Sequence, residues 1–115
     1  MAGPRVTSEF FVSAYLRLCA HHGAFAALQR RGASEAGAIF ILIDRLDGSG
    51  TLYGPAPQTS YEERTDRAFA KLHEEEALPI AVLEDKLARE LRFDPDIWVI
   101  AVEERMGAHF LERVV

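Results

Sequence analysis

Phe11, Ala14, Tyr15, Leu18 and His22 recur at steps of three and four, which places them on one stripe of a helix. The pattern predicts a helix from about Ser8 to His22. Ser8 stands as its N-cap, Glu9 lies in the first turn where the helix dipole favours an anion, and Gly23 is the stop signal. Ala24 to Arg31, apolar at its start and polar at its end, reads as a strand, and 32–37 as a loop. Ala38 to Arg45 is β-branched and apolar at successive positions, as expected of a central strand buried on both faces. Asp47-Gly48-Ser49-Gly50 reads as a turn, and Thr51 to Gly54 as the returning strand of a hairpin, before Pro55 and Pro57 stop regular pairing.

Residues 58–67 read as an exposed polar loop, and Ala68 to His73 fits either a short strand or a helical turn. Ile80, Leu83, Leu87 and Leu91 give a second helix with Pro79 in its first turn. That helix must end near Arg92, because Pro95 disfavours helical backbone at Asp94. Ile97 to Val102 is a second strand with two apolar faces; Met106-Gly107 turns the chain, and Ala108 to Leu111 returns as an edge strand. The predicted order is α-β-β-β-(β)-α-β-β. This is an α+β fold: a mainly antiparallel sheet of four to six strands packed against two helices, with both helices expected on one face. At 115 residues, with no repeat and no linker, residues 1–115 are expected to form a single domain.

Charge narrows the functional classes. The net charge is −5; residues 1–60 carry +1 and residues 61–115 carry −6. Phosphate neutralisation wants a clustered basic surface, so nucleic-acid binding, including RNA binding on an aromatic sheet face, is disfavoured. Cys19 is the only cysteine, so no intrachain disulfide forms, and its place among apolar helix positions predicts a buried, inert thiol. Met1 to Arg5 has no apolar run of a secretory signal, and no segment reaches the ~18 apolar residues of a membrane span. A cytoplasmic location away from the membrane is the expectation.

The motifs that could carry chemistry mostly have simpler structural readings. Gly48-Ser49-Gly50-Thr51 lacks the lysine and the following helix of a phosphate loop. His21 and His22 point about 100° apart on a helix, and Ala77 stands where a zincin that begins His73-Glu74 needs its second histidine. No metal and no cofactor are expected. Asp94 and Asp96 flank Pro95 and follow Arg92 and Phe93. They are either a rigid corner presenting carboxylates or a capped turn in which Arg92 pairs with one of them. Leu52 to Gln58 is either a stiff loop presenting Tyr53 and Gln58 to a ligand or a connection that protects a sheet edge. Trp98 is expected in the core.

Arg5 to Phe10, Ala36 to Phe40, Arg45 to Gly48, Leu52 to Gln58, and Arg89 to Val99 together resemble a small bacterial family, domain of unknown function 1491. Tyr53-Gly54-Pro55-Ala56-Pro57-Gln58 and Arg92-Phe93-Asp94-Pro95-Asp96 are the most specific blocks. Phe11 stands where relatives are expected to carry Trp. The resemblance implies a small stand-alone cytoplasmic protein of bacterial type, and brings no activity, cofactor or catalytic residue with it.

Two functional readings stay open. One is a non-catalytic binding or interaction module with contacts at Arg31, Arg45, Tyr53, Gln58 and Arg92. In this reading an edge strand, either Ala108 to Leu111 or the one near Ala24, pairs with a protein partner or across a homodimer. The other is a site for a small anionic ligand, as a binding protein or an enzyme, in which Arg31, Arg45 and Arg92 hold the anion and Asp94 or Asp96 serves as acid or base. That site requires those groups to converge on one pocket, lined partly by Tyr53 or Trp98.

Overall fold

The protein is described by a computed structural model covering residues 6–57 and 67–115. The expected polar loop therefore lies, apart from Arg67, outside the described residues. The elements run α1 (Ser8–His21), β1 (Phe25–Arg30), β2 (Ile39–Asp44), β3 (Ser49–Pro55), β4 (Phe69–Lys71), β5 (Leu78–Pro79), α2 (Ile80–Phe93) and β6 (Trp98–Glu103). The sheet order is β1-β6-β2-β3-β4, with β5 pairing β3 beside β4. Among the described strands, the central β2–β6 pair is parallel and the other strand pairs are antiparallel. This is the α+β fold expected from the order of elements.

The helices are not on one face. Val12, Tyr15 and Cys19 of α1 pack on Ile39, Ile41 and Ile43 of β2 and on Trp98, Ile100 and Val102 of β6. Leu83 and Leu87 of α2 pack on Phe40 and Leu42 of β2, Leu52 of β3 and Val99 of β6. Side chains alternate along a strand, so odd and even positions of β2 serve opposite layers. A strand apolar on both faces needs a cover on both, which is why one helix goes to each side. Each fully buried aliphatic side chain in these layers stabilises the fold by roughly 1.5–3 kcal/mol.

The start of α1 departs from expectation by one residue. Thr7 is the N-cap, accepting the Phe10 amide at 3.1 Å. Ser8 is the first helical residue and is buried, its hydroxyl donating to the Gly37 carbonyl at 2.6 Å. The amides of Ser8 and Glu9 donate to the carbonyls of Glu35 and Ser34, so the 34–37 loop satisfies the open end of the helix. Pro79 likewise sits just before α2 rather than inside its first turn, and the Ile80 amide donates to the Gly48 carbonyl. The ambiguous stretch after residue 68 contains strand β4.

The expected edge strand from Ala108 to Leu111 does not form. Phe110 takes a left-handed φ of 56°, and two donors of the segment are spent locally: Ala108 N on Glu104 Oε1 and Leu111 N on His109 Nδ1. The chain then reaches the outer side of β4. There Phe69 N donates to Arg113 O, Val115 N donates to Phe69 O, and Phe69 and Val114 form a parallel bridge. The outer side of β4 is thus paired by the chain itself at Phe69.

Candidate functional site

Strand β1 is the other outer edge, and among the described residues nothing pairs with its outer side. Which of its groups are open follows from the neighbouring ladder. Trp98 N and Glu104 N donate toward β2, to Ala38 O and Asp44 O. Successive residues of a strand point their amides to opposite sides, so Val99, Ala101 and Glu103 bond toward β1. Their partners are Arg30, Ala27 and Phe25. The amides and carbonyls of Ala26 and Leu28 therefore face outward. A bulge between Leu28 and Arg30 ends the regular edge.

Of the exposed side chains of this edge, Phe25 and Leu28 are apolar and Gln29 is polar. Phe25 is 64% exposed and Leu28 37% exposed. On the α2 side, the helix covers β2 and β3 and leaves a groove of about 450 Å³ over β6 and β1. Leu87, Ala88, Leu91 and Val99 make its apolar lining, with Gln29, Arg30 and Glu84 as its polar groups. Arg30 is anchored at one end: its Nη2 donates to the Pro95 carbonyl at 2.6 Å, while its Nε is buried without a partner among the described residues.

The residues singled out from sequence fall in several places. Arg31 follows β1, pairs with Glu9 and lies 5.2 Å over the Trp98 ring. Asp94 and Asp96 stand at the same end of the sheet. Asp94 Oδ1 accepts the Asp96 amide at 2.9 Å and Asp96 O accepts the Ala33 amide at 2.9 Å. This is the capped-turn geometry, although the exposed Arg92 makes no ion pair with either carboxylate among the described residues. Arg45 follows the C-terminal end of β2, at the opposite end of the sheet, with Nη1 3.9 Å from Glu76. Tyr53 is only 8% exposed, inside the paired part of β3, edge-on to His109. It is a core residue rather than a loop residue. Gln58 lies outside the described residues. The structure thus gathers Arg31, Asp94 and Asp96 at one end, keeps Arg45 at the other, and buries Tyr53 between layers.

Trp98 is fully buried, and its Nε1 donates to Ala33 O at 2.7 Å. Cys19 is also fully buried, and burial raises its thiol pKa above the ordinary value. Desolvation raises the Tyr15 hydroxyl likewise, so it stays a neutral donor. A second cleft, of about 330 Å³, lies between α1 and the C-terminal segment, lined by Phe11, Tyr15, Leu18, Phe110 and Leu111 with Glu112 at its rim. Phe110 closes one end by stacking on His22, ring centroids 4.6 Å apart. Among the described residues no three His, Cys, Asp or Glu side chains are grouped to hold a metal ion. No described helix is long and apolar enough to cross a membrane.

Sequence reasoning singled out neither Phe25 nor Arg30. The usable signal was the strand near Ala24 itself, in which apolar residues are followed by two arginines and no lysine, proline or acid interrupts residues 24–29.

Comparison with known proteins places this geometry. A search of curated proteins finds no match. A crystal structure of a DUF1491 family protein from Caulobacter crescentus CB15 is 32% identical, with a TM-score of 0.78 over 96% of this chain and 97% of that one. An NMR structure of a DUF1491 family protein from the same organism is 30% identical, with a TM-score of 0.81 over 98% and 99% of the two chains. A protein from A. tumefaciens solved in solution is 40% identical, with a TM-score of 0.75 over 86% of each chain. The family model described as protein of unknown function (DUF1491) matches residues 6–112, and the chain belongs to that family.

Proposed function

We propose that this protein is a non-catalytic interaction module that docks a protein partner along the open edge of β1. The observation that carries the reading is the asymmetry of the two outer edges. The outer side of β4 is paired at Phe69 by residues 113–115, whereas β1 presents the outward hydrogen-bonding groups of Ala26 and Leu28 with Phe25 and Leu28 exposed beside them. Uncharged, apolar edges template pairing with another strand, and proteins that avoid such pairing place lysine, proline, an inward charge or a bulge there. Residues 25–28 carry none of these, and the bulge falls only after Leu28. Strand addition would supply main-chain hydrogen bonds, and the groove lined by Leu87, Leu91 and Val99 would take side chains of the partner on one face.

The test is site-specific photo-crosslinking in cells from a photoreactive residue at position 28, with position 82 on the exposed side of α2 as control. Protein adducts are expected from position 28 and not from 82. They should disappear in an Ala26→Pro background. The Ala26 amide points outward, so proline there removes an edge donor without breaking a bond of the sheet. Equal labelling from both positions would overturn the reading.

A further inference from the structure

The occupant of this edge can be named from its own residues. We infer that β1 pairs with β1 of a second copy of this chain, antiparallel about a two-fold axis at Ala27; this rests on the edge-docking reading above. Only Ala26 and Leu28 offer outward backbone groups before the bulge. An antiparallel pairing must set such residues opposite one another. The register that uses all of them places Ala26 opposite Leu28 of the second copy and Leu28 opposite Ala26, forming four hydrogen bonds. A two-fold axis then passes between the two Ala27 residues, a non-hydrogen-bonded pair whose Cα atoms approach to about 4.5 Å. Alanine is small enough for that approach.

The same register matches the side chains on both faces. On the α1 side, one row across the sheet runs Lys71, Tyr53, Ile41, Ile100 and Leu28, and the adjacent row runs Thr51, Ile43, Val102 and Ala26. Pairing Leu28 with Ala26 of the second copy joins the first row of one copy to the second row of the other, so two apolar rows that stop at an open edge become continuous. On the α2 side, the exposed Phe25 runs toward the bulged end of the second copy's β1, where Gln29 and Arg30 border the groove. Charge permits the contact as well. The residues that pair before the bulge, Ala26, Ala27 and Leu28, carry no charge, so no like charges meet in the paired stretch although the chain carries −5. A heterologous strand would have to supply this complementarity from another sequence; a second copy already carries it.

Sedimentation equilibrium of the full chain up to about 1 mM, together with Ala27→Cys oxidised under mild conditions, tests the inference. The expected result is twice the chain mass for the natural sequence and the mass of one chain for Ala26→Pro and Leu28→Lys, each shown by circular dichroism to be folded. Ala27→Cys should give a disulfide-linked dimer, because the axis brings the two residues within disulfide reach, while Phe25→Cys should not. Cys19 is buried and does not compete. A dimer in which Ala27→Cys stays reduced would overturn this interface. A natural chain that stays single to the highest concentration would overturn the second copy as occupant. In that case position 28 adducts to a different protein in cells would leave the edge-docking reading standing, and their absence would remove both.

Discussion

The hydroxyl of Tyr15 donates to the carbonyl of His109 at 2.7 Å across 94 residues of sequence. This bond ties the middle of α1 to the irregular C-terminal segment that covers the sheet beside it. Burial raises the pKa of the hydroxyl, so the donor persists at any ordinary pH. Tyr15→Phe keeps the ring and its stacking on Phe11 but orphans the carbonyl. A part-buried acceptor left alone costs about 1–3 kcal/mol. Urea unfolding of the variant should show that loss, with faster amide exchange along 108–115. An unchanged midpoint would mean that packing alone seats the segment.

Two glycines of one turn respond to alanine for different reasons. Gly48 has a φ of +88° with open space where a Cβ would stand, so Gly48→Ala costs only the left-handed strain of about 1–2 kcal/mol. At Gly50 an added Cβ would lie 2.3 Å from the Ile43 carbonyl oxygen and 2.9 Å from Ile80 Cδ1. The hairpin cannot relieve that without moving backbone, so Gly50→Ala should lose about 3 kcal/mol or more. Thermal unfolding of the two variants side by side checks the ordering. The reverse order would show that the β2–β3 pair is looser than its register implies.

Much of this architecture could be read along the chain, and the failures have local causes. Ile39 to Ile43 and Ile97 to Val102 were legible as central strands because runs with no polar face have nowhere else to go. The same runs required a layer on each side, which the expectation of two helices on one face overlooked. Tyr53 fell both in the returning strand Thr51 to Gly54 and in the stiff segment Leu52 to Gln58, because Pro55 and Pro57 were expected to stop pairing. The strand reading is the one that forms: a Cβ at Gly54 would stand 2.8 Å from the Phe40 ring, and Pro55 still pairs with Phe69. The Arg31 and Asp96 corner depends on Gly32 and Gly37 approaching the Asp96 carbonyl, a contact between distant segments that no spacing rule reports. The strand near Ala24 was one of two edges offered for pairing, and only strand order decides that it is the one left open.

Two histidines make the fold sensitive to mild acid. His73 Nε2 accepts the Leu52 amide at 3.1 Å, and His109 Nδ1 accepts the Leu111 amide at 2.9 Å. Protonation would turn each acceptor into a donor facing a donor. Burial, the leading cause at both, holds their pKa values below the ordinary 6.5. The unfolded chain therefore takes up protons first as pH falls, and stability drops as pH goes down through 6.5. Above that pH both forms are neutral and the contribution is flat. Denaturant midpoints measured from pH 8 to pH 5 should show the fall, and His73→Gln should reduce its slope. A midpoint rising toward pH 5 would contradict the sign.

Thr51 is buried in the row of Ile43, Val102 and Ala26, and among the described residues its hydroxyl has no hydrogen-bond partner. The row is otherwise aliphatic, so the hydroxyl loses its water on folding and gains nothing in return. A buried orphan of this kind costs about 1–3 kcal/mol relative to a satisfied group. Valine keeps the branched Cβ that suits a strand and removes the oxygen. Thr51→Val should therefore raise stability by about 1 kcal/mol, read as a higher urea midpoint with an unchanged slope. The site is remote from β1, so self-association should stay as it is in the natural chain. If the valine variant is instead less stable by a similar amount, the hydroxyl is bonded in solution and this row of the core is not dry.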